Sequence, residues 1–309
     1  MVCMQHHLLT AVLIVELIPA ALFGLARTAT TRIVQNWPPV LRILFPVLAT
    51  VPYLLASISA HVFQWKWLAL YAALPLSVAA LLEQAVRIDP EQSGNWRDAI
   101  ILLVLGLAVD LRWFERVWPH GWASLGKILL VDIGLYGFAG IRQLSGTGFD
   151  LYVKKGDWKT GLRELVFVAP FLVGLGLSLG FLHPHATALQ PLGFPHPDTP
   201  VRWPVMALTG TIAWIHVFHF IALPEELYFR AWVQNFLERR LGRRAALAVA
   251  SVVFGLSHFN KRSTHFNWRY VILATIAGIF YGRAWRLDRR VPASTITHAT
   301  VDTIWGIWF

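Results

Sequence analysis

The chain has 309 residues, a mean hydropathy of +0.53 and only 14% charged residues, against about 25% in ordinary soluble domains. This excludes a typical soluble globule, and a lone Cys3 excludes an intrachain disulfide or a cysteine-based zinc cluster. The net charge of +10 is read as Lys and Arg in cytoplasmic loops, which set membrane topology, rather than as a nucleic-acid surface.

In chain order, candidate membrane spans fall at 8–26, 43–63, 67–83, 98–110, 126–141, 164–182, 205–223, 224–240, 245–259, 270–286 and 291–309. Runs such as LLTAVLIVELIPAALFGLA at 8–26 approach the ~20 residues that carry a helix across hydrocarbon. The first run lacks a small-residue cleavage site and is followed by further spans, so a span is expected there rather than a cleaved signal. The runs at 98–110 and 126–141 are short, and 224–240 is polar. The expectation is therefore an all-α polytopic bundle with eight to ten crossings. Fifteen Trp fit interfacial belts.

The segment 183–204, HPHATALQPLGFPHPDTPVRWP, is too rich in proline to be helical throughout and reads as an extramembrane loop. It divides an N-terminal transmembrane bundle, 1–182, from a C-terminal core, 205–309. GLSLG at 176–180 and GIFYG at 278–282 have the small-xxx-small spacing that lets membrane helices approach closely.

Ionisable groups at membrane depth are costly and tend to face a bundle interior. Glu16, Asp110 and Asp132 stand singly in N-terminal spans, where packing or topology is the better reading. The C-terminal third instead concentrates Glu225, Glu226, Arg230, His258, His298 and Asp302, with His216 and His219 just upstream. Pro224 suits the first turn of a helix, where acids favour the macrodipole. Glu226 and Arg230 are i and i+4 and pair along one face, whereas Glu225 points about 100° away. A carboxylate without a local partner in an apolar site is suited to act as a base.

His258 lies in FGLSHF, with Phe254 four residues earlier on the same face, placed to wall one side of the imidazole. The basic turn RRLGRR at 239–244 makes the two flanking helices antiparallel. That sets Glu225 and His258 at nearly one level. His298 and Asp302 are again i and i+4, in THATVD.

The ordered set EELYFR, FGLSH and HATVD resembles the E-E-x-x-x-R, F-x-x-x-H and H-x-x-x-N/D motifs of the CAAX protease and bacteriocin-processing (CPBP) family. These are glutamic intramembrane proteases that include the type II CAAX prenyl endopeptidases. The resemblance covers roughly residues 205–307 and implies peptide-bond hydrolysis within the bilayer. It implies that Glu225 and His258 activate water, that His298 and Asp302 line the oxyanion site, and that Glu226 and Arg230 support the first glutamate. The implied partners are the lipid bilayer and a membrane protein or lipidated peptide, with no nucleic acid and no cofactor.

Asp302 departs from the prenyl endopeptidases, which have Asn there. An ionised carboxylate cannot donate to an oxyanion. Asp302 either stays protonated as a donor or orients His298, and a prenylated substrate is put in question. Two rival readings use the same residues. One is a zinc hydrolase with ligands drawn from Glu225, His258, His298 and Asp302, although no close zinc spacing is present. The other is a scaffold or proton-coupled transporter. Lys and Arg are denser at 239–244 and 283–290 than at 260–269, which assigns the first two turns to the cytoplasm. A bacterial cytoplasmic membrane is the expected location.

Overall fold

A computed structural model describes residues 2–114, 118, 122, 125–184, 203–261, 263 and 265–309. The protein is all-helical, with no strand among the described residues. It divides into two compact units, Met1–Ser145 and Gly146–Phe309. The sequence reading set its boundary at the loop 183–204 instead, and nearly all of that loop lies outside the described residues.

The first unit holds α1 (Val2–Leu25), α2 (Arg27–Asn36), α3 (Pro39–Leu44), a 3₁₀ turn at Phe45–Ala49, α4 (Thr50–Ser59), α5 (Trp65–Ile88), α6 (Trp96–Asp110) and α7 (Leu125–Leu135), which runs into a π-helical turn at Tyr136–Ile141. Thr10–Leu25 and Arg27–Asn36 meet at a 105° bend. Asn95 and Asp98 form a reciprocal capping box at the start of α6. Asp98 also takes Arg142 into a buried pair at 3.1 Å, and Asp89 pairs with the same guanidinium. Glu16 and Asp132 are buried.

The second unit holds α8 (Lys155–Ser178), α9 (Trp203–Val217), α10 (Leu223–Glu226), α11 (Asn235–Leu256), α12 (Trp268–Asp288) and α13 (Val291–Trp308). Its helices are apolar outward. On α8, Leu162, Val166, Phe167 and Phe171 are exposed while Gly161, Glu164 and Val168 are buried. On α11, Val249, Val252, Val253 and Leu256 face out while Ala250, Ser251, Phe254 and Gly255 face in. Polar groups inside and aliphatic groups outside suit a hydrocarbon solvent.

Four helical stretches are long and apolar enough to cross a membrane: Pro39–Ser59, Trp65–Ile88, Lys155–Ser178 and Ala207–Leu256. The bent pair in the first unit raises that to five if it is one span. Arg269, Arg283, Arg286 and Asp288 keep charge within or at the end of α12, which fails by composition, and α6 and α7 are too short to qualify.

Two features differ from the sequence expectation and position the site. Pro224 does not begin a helix. The chain is helical from Trp203 onward, through a π turn at Phe218–Ala222, α10, and a second π turn at Leu227–Gln234. A proline inside an α-helix removes a donor and clashes with the carbonyl four residues back. The wider π register relieves this. Leu223 N–H reaches back five residues to Phe218 O, so the bulge is completed just ahead of the proline. Glu225 and Glu226 therefore sit between two π segments, deep in a helical run, and are not acids at a helix start.

The second feature is Gly242. Its φ of 76° and ψ of 168° break the run and suit glycine alone. The chain reverses there, which brings Phe229 edge-on to Phe254 at 5.0 Å. The antiparallel pair expected from RRLGRR is thus formed. Gly278 and Gly282 let α12 close on it: a Cβ at Gly278 would lie 3.2 Å from Ser251 Cα, and one at Gly282 2.5 Å from Leu247 Cδ1. The other small-residue motif works locally, since a Cβ at Gly176 would meet Leu182 just beyond its own helix.

Candidate active site

Glu226 is fully buried and uses both carboxylate oxygens. Oε2 accepts from Arg230 Nε at 2.9 Å, the i, i+4 pair expected from the sequence. Oε1 lies 2.9 Å from His298 Nδ1 on α13. Arg230 is also fully buried, and its guanidinium carbon lies 5.1 Å from the centroid of the Phe254 ring. The ring face offers an electron-rich surface to the cation, while neither Nη atom has a hydrogen-bond partner.

Phe254 is the hub of this region. Its ring contacts those of His258 at 4.9 Å, His298 at 5.6 Å and Tyr281 at 5.8 Å. Its carbonyl oxygen lies 2.8 Å from His258 Nδ1, with Ser257 Oγ donating to the same oxygen at 2.8 Å. That carbonyl assigns the proton to Nδ1 and leaves the Nε2 lone pair facing the site. Residues of the α11 terminus thus fix the imidazole through their own backbone.

His298 is held on every side. Tyr281 stacks on it at 4.6 Å and 17°. Its Nδ1 faces Glu226, and its Nε2 lies 3.5 Å from Asp302 Oδ2 and 3.9 Å from Glu225 Oε2. With carboxylates facing both nitrogens, the ring is arranged to donate from both.

Glu225 points away from Glu226, as the 100° helical step requires. Its side chain is 25% exposed, against 0% for Glu226. It has the partner that sequence reasoning missed: Lys261 Nζ lies 3.5 Å from Glu225 Oε1 and 3.5 Å from His258 Nε2. The signal was available in HFNK, where Lys261 follows His258 by three residues, but a basic loop residue reads first as a solvated charge.

A cavity of about 90 Å³ opens beside the cluster. One water needs roughly 10–15 Å³ by the corresponding measure, so several waters or a small side chain fit. His258, His298 and Asp302 give the cavity its polar wall, and Phe254, Tyr270 and Tyr281 part of its aromatic one. Glu225 is not among the residues of the wall, and its Oε2 lies 3.9 Å from Nε2 of His298, which is. Tyr270 and Tyr281 were not singled out from sequence; each lies edge-on or face-on to a histidine. His216 and His219 do not join the cluster: His219 Nδ1 lies against Ile215 O, and His216 packs on Phe220. Among the described residues, no group of three or more His, Cys, Asp or Glu side chains is placed to hold a metal ion.

Lipid-facing helices surrounding a buried cluster of carboxylates, histidines and cations beside a small cavity define a helical membrane protein with the furniture of acid–base chemistry. Residues 207–304 match a protein-family model described as type II CAAX prenyl endopeptidase Rce1-like. This match covers about a third of the chain, spans Glu225 to Asp302, and supports the CPBP resemblance of that segment, a family of membrane proteases. Comparison with curated proteins and with solved structures gave no match.

Proposed function

We propose that the protein is an intramembrane endopeptidase that hydrolyses a peptide bond of a membrane-associated or lipidated protein or peptide. The observation that carries this reading is the convergence of Glu225, His258 and His298, from α10, the turn after α11, and α13, beside a cavity large enough for water.

In the proposed reaction, water is held by Glu225 and the Nε2 lone pair of His258. Glu225 takes its proton as the hydroxide adds to the scissile carbonyl carbon. The resulting oxyanion accepts a hydrogen bond from His298 Nε2, a contribution of about 3 kcal/mol for a fixed donor. The carbon–nitrogen bond then breaks as Glu225 returns the proton to the leaving amine. Glu226 and Arg230 hold His298 and the helix in place. This chemistry needs no resident metal ion and no organic cofactor. The reading places the protein in a cytoplasmic membrane, in a bacterium, with eight to ten crossings that include the shorter and more polar helices of both units.

The test is a comparison of protein termini in membranes of cells carrying the unmodified protein or Glu225→Gln. New termini should appear in membrane proteins with the first and be absent with the second. A set of termini identical in both would contradict the proposal.

Asp302 supplies a sharper test of roles. Its contact with His298 is 3.5 Å, whereas Glu226 makes the 2.9 Å contact to the same ring. Glu226 is then the stronger anchor of His298, and Asp302→Asn places an amide donor at the cavity wall. Activity of Asp302→Asn should stay within about tenfold of the unmodified protein. A folded but inactive Asp302→Asn would instead assign the orienting role to Asp302.

A further inference from the structure

We propose that Lys261 is a positioning residue for this reaction, drawing Glu225 and His258 toward one point through a shared ammonium group. The inference rests on the hydrolytic reading above. The ammonium has donors and no acceptor, so its contacts with Glu225 Oε1 and His258 Nε2, both 3.5 Å, run from one nitrogen to two acceptors. Those atoms belong to the two side chains that must meet the same water, and at 3.5 Å the contact with His258 Nε2 is long enough to yield to a water that takes that lone pair.

An ordinary half-exposed lysine pair contributes little and holds no fixed geometry. Lys261 differs in how its backbone is held. Its N–H donates to His258 O at 3.2 Å, and its carbonyl accepts from Asn267 Nδ2 at 3.1 Å. Asn267 is itself the N-cap of α12, with Oδ1 accepting from Tyr270 N at 3.2 Å. The loop after α11 is therefore tied to the start of α12, and the ammonium is delivered from a defined place.

Charge supports the same role. Glu225, Glu226 and Asp302 bring three carboxylates to the cluster, and Arg230 is committed to Glu226. His298 lies among all three acids. Lys261 is the cation that faces Glu225 from the loop, at the partly exposed edge of the cluster.

The experiment uses membranes carrying the full-length protein and then a peptide spanning a cleavage site found by the terminus comparison. Folded Lys261→Met should show kcat lowered about tenfold or more with KM changed less than about twofold. Lys261→Arg should regain most of the rate, because it restores a donor-only cation. A merely structural role would lower the folded yield and leave kcat per folded molecule unchanged. If Lys261→Met does not reach the membrane folded, Lys261→Gln is read in the same way. A kcat equal to or above that of the unmodified protein, in membranes where Glu225→Gln abolishes cleavage, would overturn the role of Lys261 alone. Cleavage that persists in Glu225→Gln would overturn the hydrolytic reading and this role with it.

Discussion

Glu225→Gln is expected to lower the rate of peptide hydrolysis by about 100-fold or more while the protein still inserts and folds. The substitution keeps shape and removes only the ability to hold a proton between water and the leaving amine. Glu225 is the partly exposed member of the pair and is not the counter-charge of Arg230, so the change leaves the buried Arg230–Glu226–His298 contacts intact. The contact with Lys261 weakens, but an amide oxygen still accepts from the ammonium. The measurement is a single-turnover rate on a cleaved peptide, beside a size-exclusion profile of the detergent-solubilised variant. A well-folded Glu225→Gln with an unchanged rate would remove Glu225 from the chemistry.

Glu226→Gln should behave in the opposite way, with loss of folded protein as its main effect. Both oxygens of Glu226 accept, one from Arg230 Nε and one from His298 Nδ1. A glutamine presents one acceptor and one donor to that pair. Arginine is never an acceptor, so the amide oxygen must turn to Arg230 and the NH₂ group to His298. The guanidinium then loses its counter-charge while fully buried, a change that costs about 3–5 kcal/mol. Folded yield in the membrane and midpoint of thermal unfolding should both fall clearly, and more than in Glu225→Gln. Equal stability of the two variants would mean that Arg230 finds its compensation elsewhere, through the ring of Phe254 for example.

The difference between these neighbours was legible in the sequence because it is local. Helical geometry puts residues i and i+4 on one face, so Glu226–Arg230 followed directly, as did the divergence of Glu225. RRLGRR likewise announced a reversal, and Gly242 adopts the positive φ that makes it. The small-residue spacing at 278–282 marked a close helix contact for the same reason. The second partner of Glu226 was not legible. His298 lies 72 residues further on, and only the packing of α13 against the Glu225–Glu226 segment brings it there.

Pro224 shows the limit differently. A proline ahead of two acids is the usual mark of a helix start, and the sequence gives no sign that a π turn has already absorbed it. Nothing local distinguishes a proline that begins a helix from one that follows a bulge, because the relief lies in the hydrogen-bond register of the preceding turn. Lys261 was missed through its loop context. A basic residue between spans satisfies the topology rule, and only the tie between its carbonyl and Asn267 turns its side chain toward the site.

The central claim is that a water activated by Glu225 and His258 cleaves a peptide bond inside this protein. Its most direct test is the purified protein reconstituted in liposomes and given a synthetic peptide that spans a Glu225-dependent cleavage site. Mass spectrometry should find two fragments whose masses sum to the peptide plus one water, formed by the unmodified protein and by neither Glu225→Gln nor His258→Ala. An intact peptide after incubation with folded, unmodified protein, or fragments formed equally by Glu225→Gln, would contradict it.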